Sequence, residues 1–305
     1  MAPPLIAVVG PTAAGKSAVA LRLAEARGGE VVSCDSLQVY RGLDIGSAKA
    51  TPEERARVPH HLLDVVDPGQ DFTAAAYART ARTALAGIRE RGRLAIVAGG
   101  TGLYLRALLE GLFEGPARNE ALRARLEAIA ARRGPGRLHR LLARADPDAA
   151  ARIPPRDLVR IVRALEVFMT TGRPLTAHHR GGSAPLAGFA VHVLGIAPPR
   201  EALRAAVERR TAEMFERGLL QEVRRLLDAG HPQDLRPLRA IGYRQAVDVI
   251  AGRRTEDEAR RDIVVSTMQY AKRQLTWFRH QTQASWFTSA ADALQGAQRI
   301  VDGAA

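Results

Sequence analysis

One cysteine, Cys34, is all the chain contains, so no internal disulfide can close; this fits a reducing, cytoplasmic setting. Aromatic residues are scarce, at 5%. No apolar run approaches the length of a membrane span. The N-terminus, MAPPLIAVVG, lacks the basic region of a signal peptide and reads as a strand. Internal repeats and low-complexity tracts are also missing. These absences argue against a disulfide scaffold, a membrane-spanning helix and a repeat array.

The 305 residues suffice for one large α/β domain with a smaller insert. Hydrophobic residues make up 46% and charged residues 25%, so a sizeable core can be buried. The formal net charge of +13 attracts polyanions. Charge alone leaves two readings open, a nucleic-acid partner or an ordinary basic surface.

Leu5 to Val9 reads as a buried first strand, followed by a helix over Gly15 to Arg27 with apolar spacing at Val19, Leu23 and Ala26. Glu30 to Cys34 is a second strand and Arg93 to Ala98 a third. Phe72 to Arg91 and Leu103 to Leu112 are helical. Strands alternating with helices predict a parallel sheet covered on both faces. The pattern breaks near Gly115-Pro116. From 119 to 189 the spacing is helical throughout, with 13 arginines, no lysine and 6 acids, a net of +7. This stretch ends in the loose segment Gly181-Gly182-Ser183-Ala184-Pro185. Ala190 to Ile196 returns to the sheet as a fourth strand. Helices continue to about His280, and Ala284 to Phe287 reads as a short final strand. The expected domains are therefore 1–118 with 190–305, and an all-helical insertion at 119–189.

Gly10-Pro11-Thr12-Ala13-Ala14-Gly15-Lys16-Ser17 fits the phosphate-loop pattern, with a strand before it and a helix after it. The glycines let the backbone curl so that N–H groups and the helix N-terminus face an anion. Lys16 adds a mobile charge, and the Ser17 hydroxyl can ligate Mg²⁺. Triphosphatases of this class usually carry a metal-holding Asp at the end of another strand. Here the third strand ends Ala98-Gly99-Gly100, with no acid. That disfavours motors and switches and leaves kinases and other pyrophosphate users.

Asp35 follows the second strand, and open parallel sheets carry their chemistry at the carboxyl ends of strands. Its carboxylate can take a proton from a nucleophile, bind a metal through water, or only cap a turn. Cys34 beside it reads as a small core residue. Gly99-Gly100-Thr101-Gly102 permits close backbone approach to a ligand, or a tight strand-to-helix turn. His60-His61 point different ways and read as structural rather than metal-binding.

Arg156, Arg160 and Arg163 recur at helical spacing, with Leu158, Ile161, Leu165 and Phe168 on the other side. Further on, Lys272, Arg273, Thr276, Arg279 and His280 share one arc of a helical wheel, Leu275 and Phe278 oppose it, and Trp277 flanks it. Such a stripe can track a phosphate backbone and stack a base.

Taken together, GPTAAGKS (10–17), DSLQVYRGLDIGSAK (35–49), HHLLD (60–64), AGGTGLYLRALLEG (98–111), RDLVRIVRALEVFMTTGRPL (156–175), RAIGYRQ (239–245) and YAKRQLTWFR (270–279) resemble the tRNA dimethylallyltransferases, collinearly over nearly the whole chain. Small departures fall at Ser47 and Ala50, where the family often has Thr and Pro. The resemblance implies a nucleotide-kinase-like P-loop sheet with a helical insertion that grips the anticodon stem-loop. It implies transfer of a dimethylallyl group from dimethylallyl diphosphate to N6 of adenosine 37 of tRNA, with Mg²⁺. It also implies roles. The loop Gly10 to Ser17 holds the diphosphate, Asp35 takes the amine proton, and Thr101 and Arg210 steady the diphosphate. Contacts to tRNA are implied for Asp35, Ser36, Leu37, Gln38, Thr101 and Arg123. Three further tRNA-contacting stretches are implied: Val159-Arg160-Ile161-Val162-Arg163, Arg239-Ala240-Ile241-Gly242-Tyr243-Arg244 and Lys272-Arg273-Gln274-Leu275-Thr276-Trp277-Phe278-Arg279. A monomer is expected, because the RNA surface is already large. The rival readings are a small-molecule kinase, which explains neither the insert nor the basic aromatic helix, and a non-enzymatic RNA-binding P-loop protein.

Overall fold

Leu5, Ile6, Ala7 and Val8 are fully buried because strand β1 (Pro4–Val9) lies inside a parallel sheet with both faces covered. The computed structural model describes residues 2–113, 115–116, 118–180 and 184–304. Gly181, Gly182 and Ser183 of the loose segment lie outside the described residues. The remaining strands are β2 (Gly29–Ser33), β3 (His60–His61), β4 (Leu94–Gly99), β5 (Ala190–Ile196) and β6 (Ser285–Phe287). Among the described residues they form one sheet, ordered β3-β2-β4-β1-β5-β6, with every pairing parallel. The register places Val9 beside Gly99 and Ser33 beside Ala98, so the ends of β1, β2 and β4 are level. Connected loops therefore open on one edge, as α/β sheets require of a ligand site.

Side chains alternate across the sheet as the pleat demands. Ile6, Val8, Val31 and Ile96 pack under helix Lys16–Arg27 and helix Ala290–Ala304. Leu5, Ala7, Val9, Val32 and Val97 face helix Ala74–Glu90 through Tyr77, Ala81, Leu85 and Ile88. The Thr73 hydroxyl starts that helix by accepting the Ala76 N–H at 3.1 Å. Three elements go beyond the sequence expectation, the first being the short helix Pro52–Arg57 capped by Thr51. The two-residue strand β3 pairs Val31 with His60, and helix Ala290–Ala304 closes the fold. Among the described residues no helix is long and apolar enough to cross a membrane.

The chain divides into two units, Met1–Leu109 with Leu186–Ala305, and Glu110–Pro185. The helical unit thus begins before residue 119 and ends before 189. Where the chain leaves and re-enters the sheet unit, the Leu186 N–H donates to the Leu109 carbonyl at 2.8 Å. Within the helical unit, Leu126, Leu138, Leu142, Ile161, Val162 and Leu165 form a separate core. Arg156 is not part of a helix with Arg160 and Arg163, because the helix runs Leu158–Thr171 and Asp157 caps it by accepting the Arg160 N–H at 3.1 Å.

Candidate active site

A cavity of about 650 Å³ opens at the carboxyl edge of the sheet. The phosphate loop supplies one wall through Thr12, Ala13, Gly15, Lys16 and Ser17, and Asp35 to Gln38 supply another. The loop curls through Gly10 (φ 141°), Ala13 (φ 63°) and Gly15 (φ 86°). Gly10 admits no larger residue, since a Cβ would collide with the Ile196 carbonyl of β5. Lys16 reaches back and donates from Nζ to the Pro11 carbonyl at 2.6 Å. Burial of its ammonium lowers its pKa to about 8; Asp35 opposes that shift and Arg210 adds to it.

Asp35 stands one residue beyond Cys34, whose N–H donates to the Ala98 carbonyl at 2.8 Å and so extends the β2–β4 pairing. Asp35 Oδ1 accepts the Leu37 N–H at 2.9 Å, which fixes the turn and leaves the carboxylate on the cavity. Cys34 is 2% exposed, as a core residue should be, and burial pushes its thiol up to about 12. From helix Arg200–Glu216, Arg210 donates through Nη1 to the Thr12 hydroxyl at 2.8 Å. Burial lowers its pKa and Asp35 counters this. Lys16, Asp35 and Arg210, distant in sequence, therefore share one space.

Thr101 does not line the cavity. Its Oγ1 accepts the Ser36 N–H at 3.0 Å and its own N–H donates to the Cys34 carbonyl at 3.1 Å, so it braces the segment that carries Asp35. Gly99 and Gly100 line the cavity, and the glycines around Thr101 are also packed tightly on their other side. A Cβ at Gly99 would strike the Cys34 backbone, one at Gly100 the Gln274 amide, and one at Gly102 the Trp277 ring. Gln38 lines the cavity, accepts the Ser33 hydroxyl proton at 2.7 Å and donates to the Ser47 and Ala48 carbonyls at 3.2 and 3.1 Å. His61 reads as structural here too, its Nε2 lying 2.7 Å from Glu30 Oε2.

The stretches expected to meet RNA are mixed, because any continuous helical run has an inward side. Lys272, Arg273, Thr276, Arg279 and His280 are exposed, in the arc expected. Gln274 and Phe278 are buried, Leu275 is half-buried, and Trp277 packs on Gly102 rather than standing clear. Arg239 and Arg244 are exposed, Ala240 and Ile241 line the cavity, Gly242 is buried, and Tyr243 is wholly enclosed. In the helical unit Val159 and Arg160 are exposed while Ile161 and Val162 sit in the core. Arg123 and Arg163 both bind Glu166 at 2.7 Å, and Glu166 also accepts the Asn119 N–H at 2.8 Å. Burial works to raise the Glu166 carboxyl, but the hydrogen bonds from Arg123, Arg163 and Asn119 outweigh it and hold it at about 2.

Two features were not anticipated from sequence. The apolar wall is built by Val207, Met214, Ile241 and Ile263, with Leu37 and Ile45. The segment Asp44 to Gly46 is held by buried Glu222, which accepts the amides of Asp44, Ile45 and Gly46 at 3.0, 2.7 and 3.2 Å. An acid among Leu219, Val223 and Leu226 on one helix face is the signal that marks Glu222.

The IPP transferase family model matches residues 38–281. The tRNA dimethylallyltransferase of Geobacter metallireducens is 52% identical over 285 residues, covering 92% of this chain and 91% of that one. That of Koribacter versatilis is 48% identical, covering 95% and 94%. Among solved structures, the full-length tRNA isopentenylpyrophosphate transferase of Bacillus halodurans matches with a TM-score of 0.71 at 38% identity, covering 99% of this chain and 96% of that one. A eukaryotic dimethylallyltransferase acting on tRNA matches with a TM-score of 0.80 at 26% identity, covering 98% and 78%.

Proposed function

The chain belongs to the IPP transferase family and is a tRNA dimethylallyltransferase, and from that premise we propose that it moves the dimethylallyl group of dimethylallyl diphosphate to N6 of adenosine 37 in the tRNA anticodon loop. The observation that carries the proposal is the meeting of Lys16, Ser17, Asp35 and Arg210 around one cavity that also has an apolar wall. A diphosphate calls for Lys16, Ser17 and Arg210, an amine that must lose a proton calls for Asp35, and a five-carbon tail needs only the apolar wall.

The phosphate loop, Lys16 and Arg210 hold the diphosphate and take up charge as it leaves, the electrostatic preorganisation that such a step depends on. The N6 amine forms a bond to the allylic carbon as that carbon's bond to diphosphate oxygen breaks. The N6 proton passes to Asp35 late in the step, because the amine N–H is too weak an acid for a carboxylate until the forming C–N bond places positive charge on nitrogen. The target base leaves the stack to reach this space, as in other base-modifying enzymes. Thr101 serves by bracing Ser36, and the exposed Lys272, Arg273 and Arg279 serve by meeting phosphates.

Ser17 is the residue that would help hold Mg²⁺. The Ser17 hydroxyl lines the cavity beside Lys16, and no group of three His, Cys, Asp or Glu able to hold a metal occurs among the described residues. When bound, the ion neutralises diphosphate charge. We further propose that the protein acts as a cytoplasmic monomer.

The test is incubation with dimethylallyl diphosphate, Mg²⁺ and unmodified tRNA, followed by nucleoside mass analysis. A prenylated adenosine at position 37 is the expected product. Turnover of ATP on a nucleoside, with no change in tRNA, refutes the proposal in favour of a kinase.

A further inference from the structure

Gln274 lies on helix Glu256–Gln281 between exposed cations, yet its own side chain turns inward and is 7% exposed. Its Oε1 accepts the Thr12 N–H at 2.9 Å, and its Nε2 donates to the Gly100 carbonyl at 2.8 Å. One amide thus joins the middle of the phosphate loop to the turn after β4. Gly100 bares its backbone where a Cβ would collide with Gln274 Nε2. Thr12 is held a second time through its hydroxyl by Arg210.

Thr12 sits between the two parts of the loop that matter most. On one side the Pro11 carbonyl receives the Lys16 ammonium at 2.6 Å. On the other side Ala13 has φ 63°, a left-handed conformation that a side-chain-bearing residue keeps only when its neighbours impose it. The loop's own hold on it is one long turn bond, from the Ala14 N–H to the Pro11 carbonyl at 3.4 Å across Thr12 and Ala13.

We infer that Gln274 is a positioning residue for the diphosphate cradle. It fixes the Thr12 peptide, and through that peptide the aim of the Ala13 amide and the place of the Lys16 ammonium. The Thr12 N–H is therefore a structural donor and not one of the amides that meet the diphosphate. The inference rests on the reading that this loop grips a diphosphate, and it gives that grip its rigidity.

Two variants of the full chain test it. Gln274→Met removes both hydrogen bonds at similar volume, and Gly100→Ala presses on the same contact from the opposite side. Each is titrated with magnesium pyrophosphate, and KM is measured for both substrates. Pyrophosphate Kd and donor KM are expected to rise about tenfold, as loss of a buried hydrogen bond implies, with tRNA KM unchanged. Wild-type values for pyrophosphate and donor overturn the inference, and so does an equal rise in both KM values. Failure of the wild-type chain to bind pyrophosphate sinks the underlying reading, which is a separate result. Should neither variant fold, the wild-type chain still decides. The Thr12 amide is expected to be protected from hydrogen exchange before any ligand is added, and exchange at the rate of an open loop overturns the inference.

Discussion

The Tyr243 hydroxyl donates to Glu222 Oε1 across 2.8 Å, in an interior where the same carboxylate also receives three backbone amides. Glu222 is 2% exposed. Its charge is met by dipoles from the Asp44–Gly46 turn, and the Tyr243 ring lies where a Cβ of Gly46 would be. A Glu222→Ala variant is expected to lose about 2–4 kcal/mol in urea unfolding, because buried donors are left unmet, and Tyr243→Phe about 1 kcal/mol. Equal stability of Glu222→Ala and wild type would mean that the turn holds itself.

Lys16 gives a pH dependence with a definite sign. Its pKa in the free protein is about 8, lowered from 10.5, so the ammonium is present below 8 and lost above it. Diphosphate favours the charged form, so binding above pH 8 must take up a proton. Pyrophosphate affinity is expected to weaken by up to about tenfold per pH unit above 8 and to level off below it. Calorimetry in buffers of different ionisation enthalpy reads the proton uptake directly. A flat profile from pH 7 to pH 10 would remove Lys16 from the site.

Asp35→Asn keeps the volume and the acceptor for the Leu37 N–H while discarding the base. Turnover is expected to fall about 10²–10⁴-fold, the usual contribution of a positioned base, with tRNA affinity retained. An equally active variant would show that the amine proton leaves by another route.

Glu166 binds Arg123, Arg163 and the Asn119 amide inside the helical unit. Removing the acid strands two guanidinium groups, so Glu166→Gln is expected to cost about 3 kcal/mol. The carboxyl titrates at about 2 in the folded unit and near 4.5 when unfolded. Its contribution is therefore full above pH 4.5 and is lost as pH falls towards 2. Thermal melting of wild type and variant should converge over that window. Parallel curves would contradict the assignment.

Binding to tRNA should weaken steeply with salt. Replacing Lys272, Arg273 or Arg279 singly is expected to reduce the log–log slope by about 0.7–0.9 each, the release of one counterion per phosphate contact. Unchanged slopes would place the RNA elsewhere.

How much of this was legible in the residues differs by element. The apolar run before GPTAAGKS and the helix spacing after it announce β1 and the phosphate loop, because both depend on local chemistry. The break in composition after Gly115 announces a helical insertion, although its edges at Glu110 and Pro185 are set by packing. Strand β3 escaped notice because a two-residue pairing has no periodicity to read. Helix Ala290–Ala304 did carry a signal. Ser289 and Asp292 form a cap, with the Asp292 N–H donating to Ser289 Oγ at 3.1 Å. At the site, Lys16, Asp35 and Arg210 come together as the motifs suggested, but the uses of Thr101 and Gln274 did not show. Both are spatial facts: each residue completes a hydrogen bond to a segment far away in sequence.

The bond between the Leu186 amide and the Leu109 carbonyl also bears on how such a chain can be rebuilt. The whole helical excursion is tethered at a stem whose two sides already touch. A designer could splice a short turn across that stem and ask the remaining sheet to fold alone, since its own strands need no slack from the excised part. Pyrophosphate binding by the sheet unit made in this way would show whether the phosphate loop keeps its shape without the excursion.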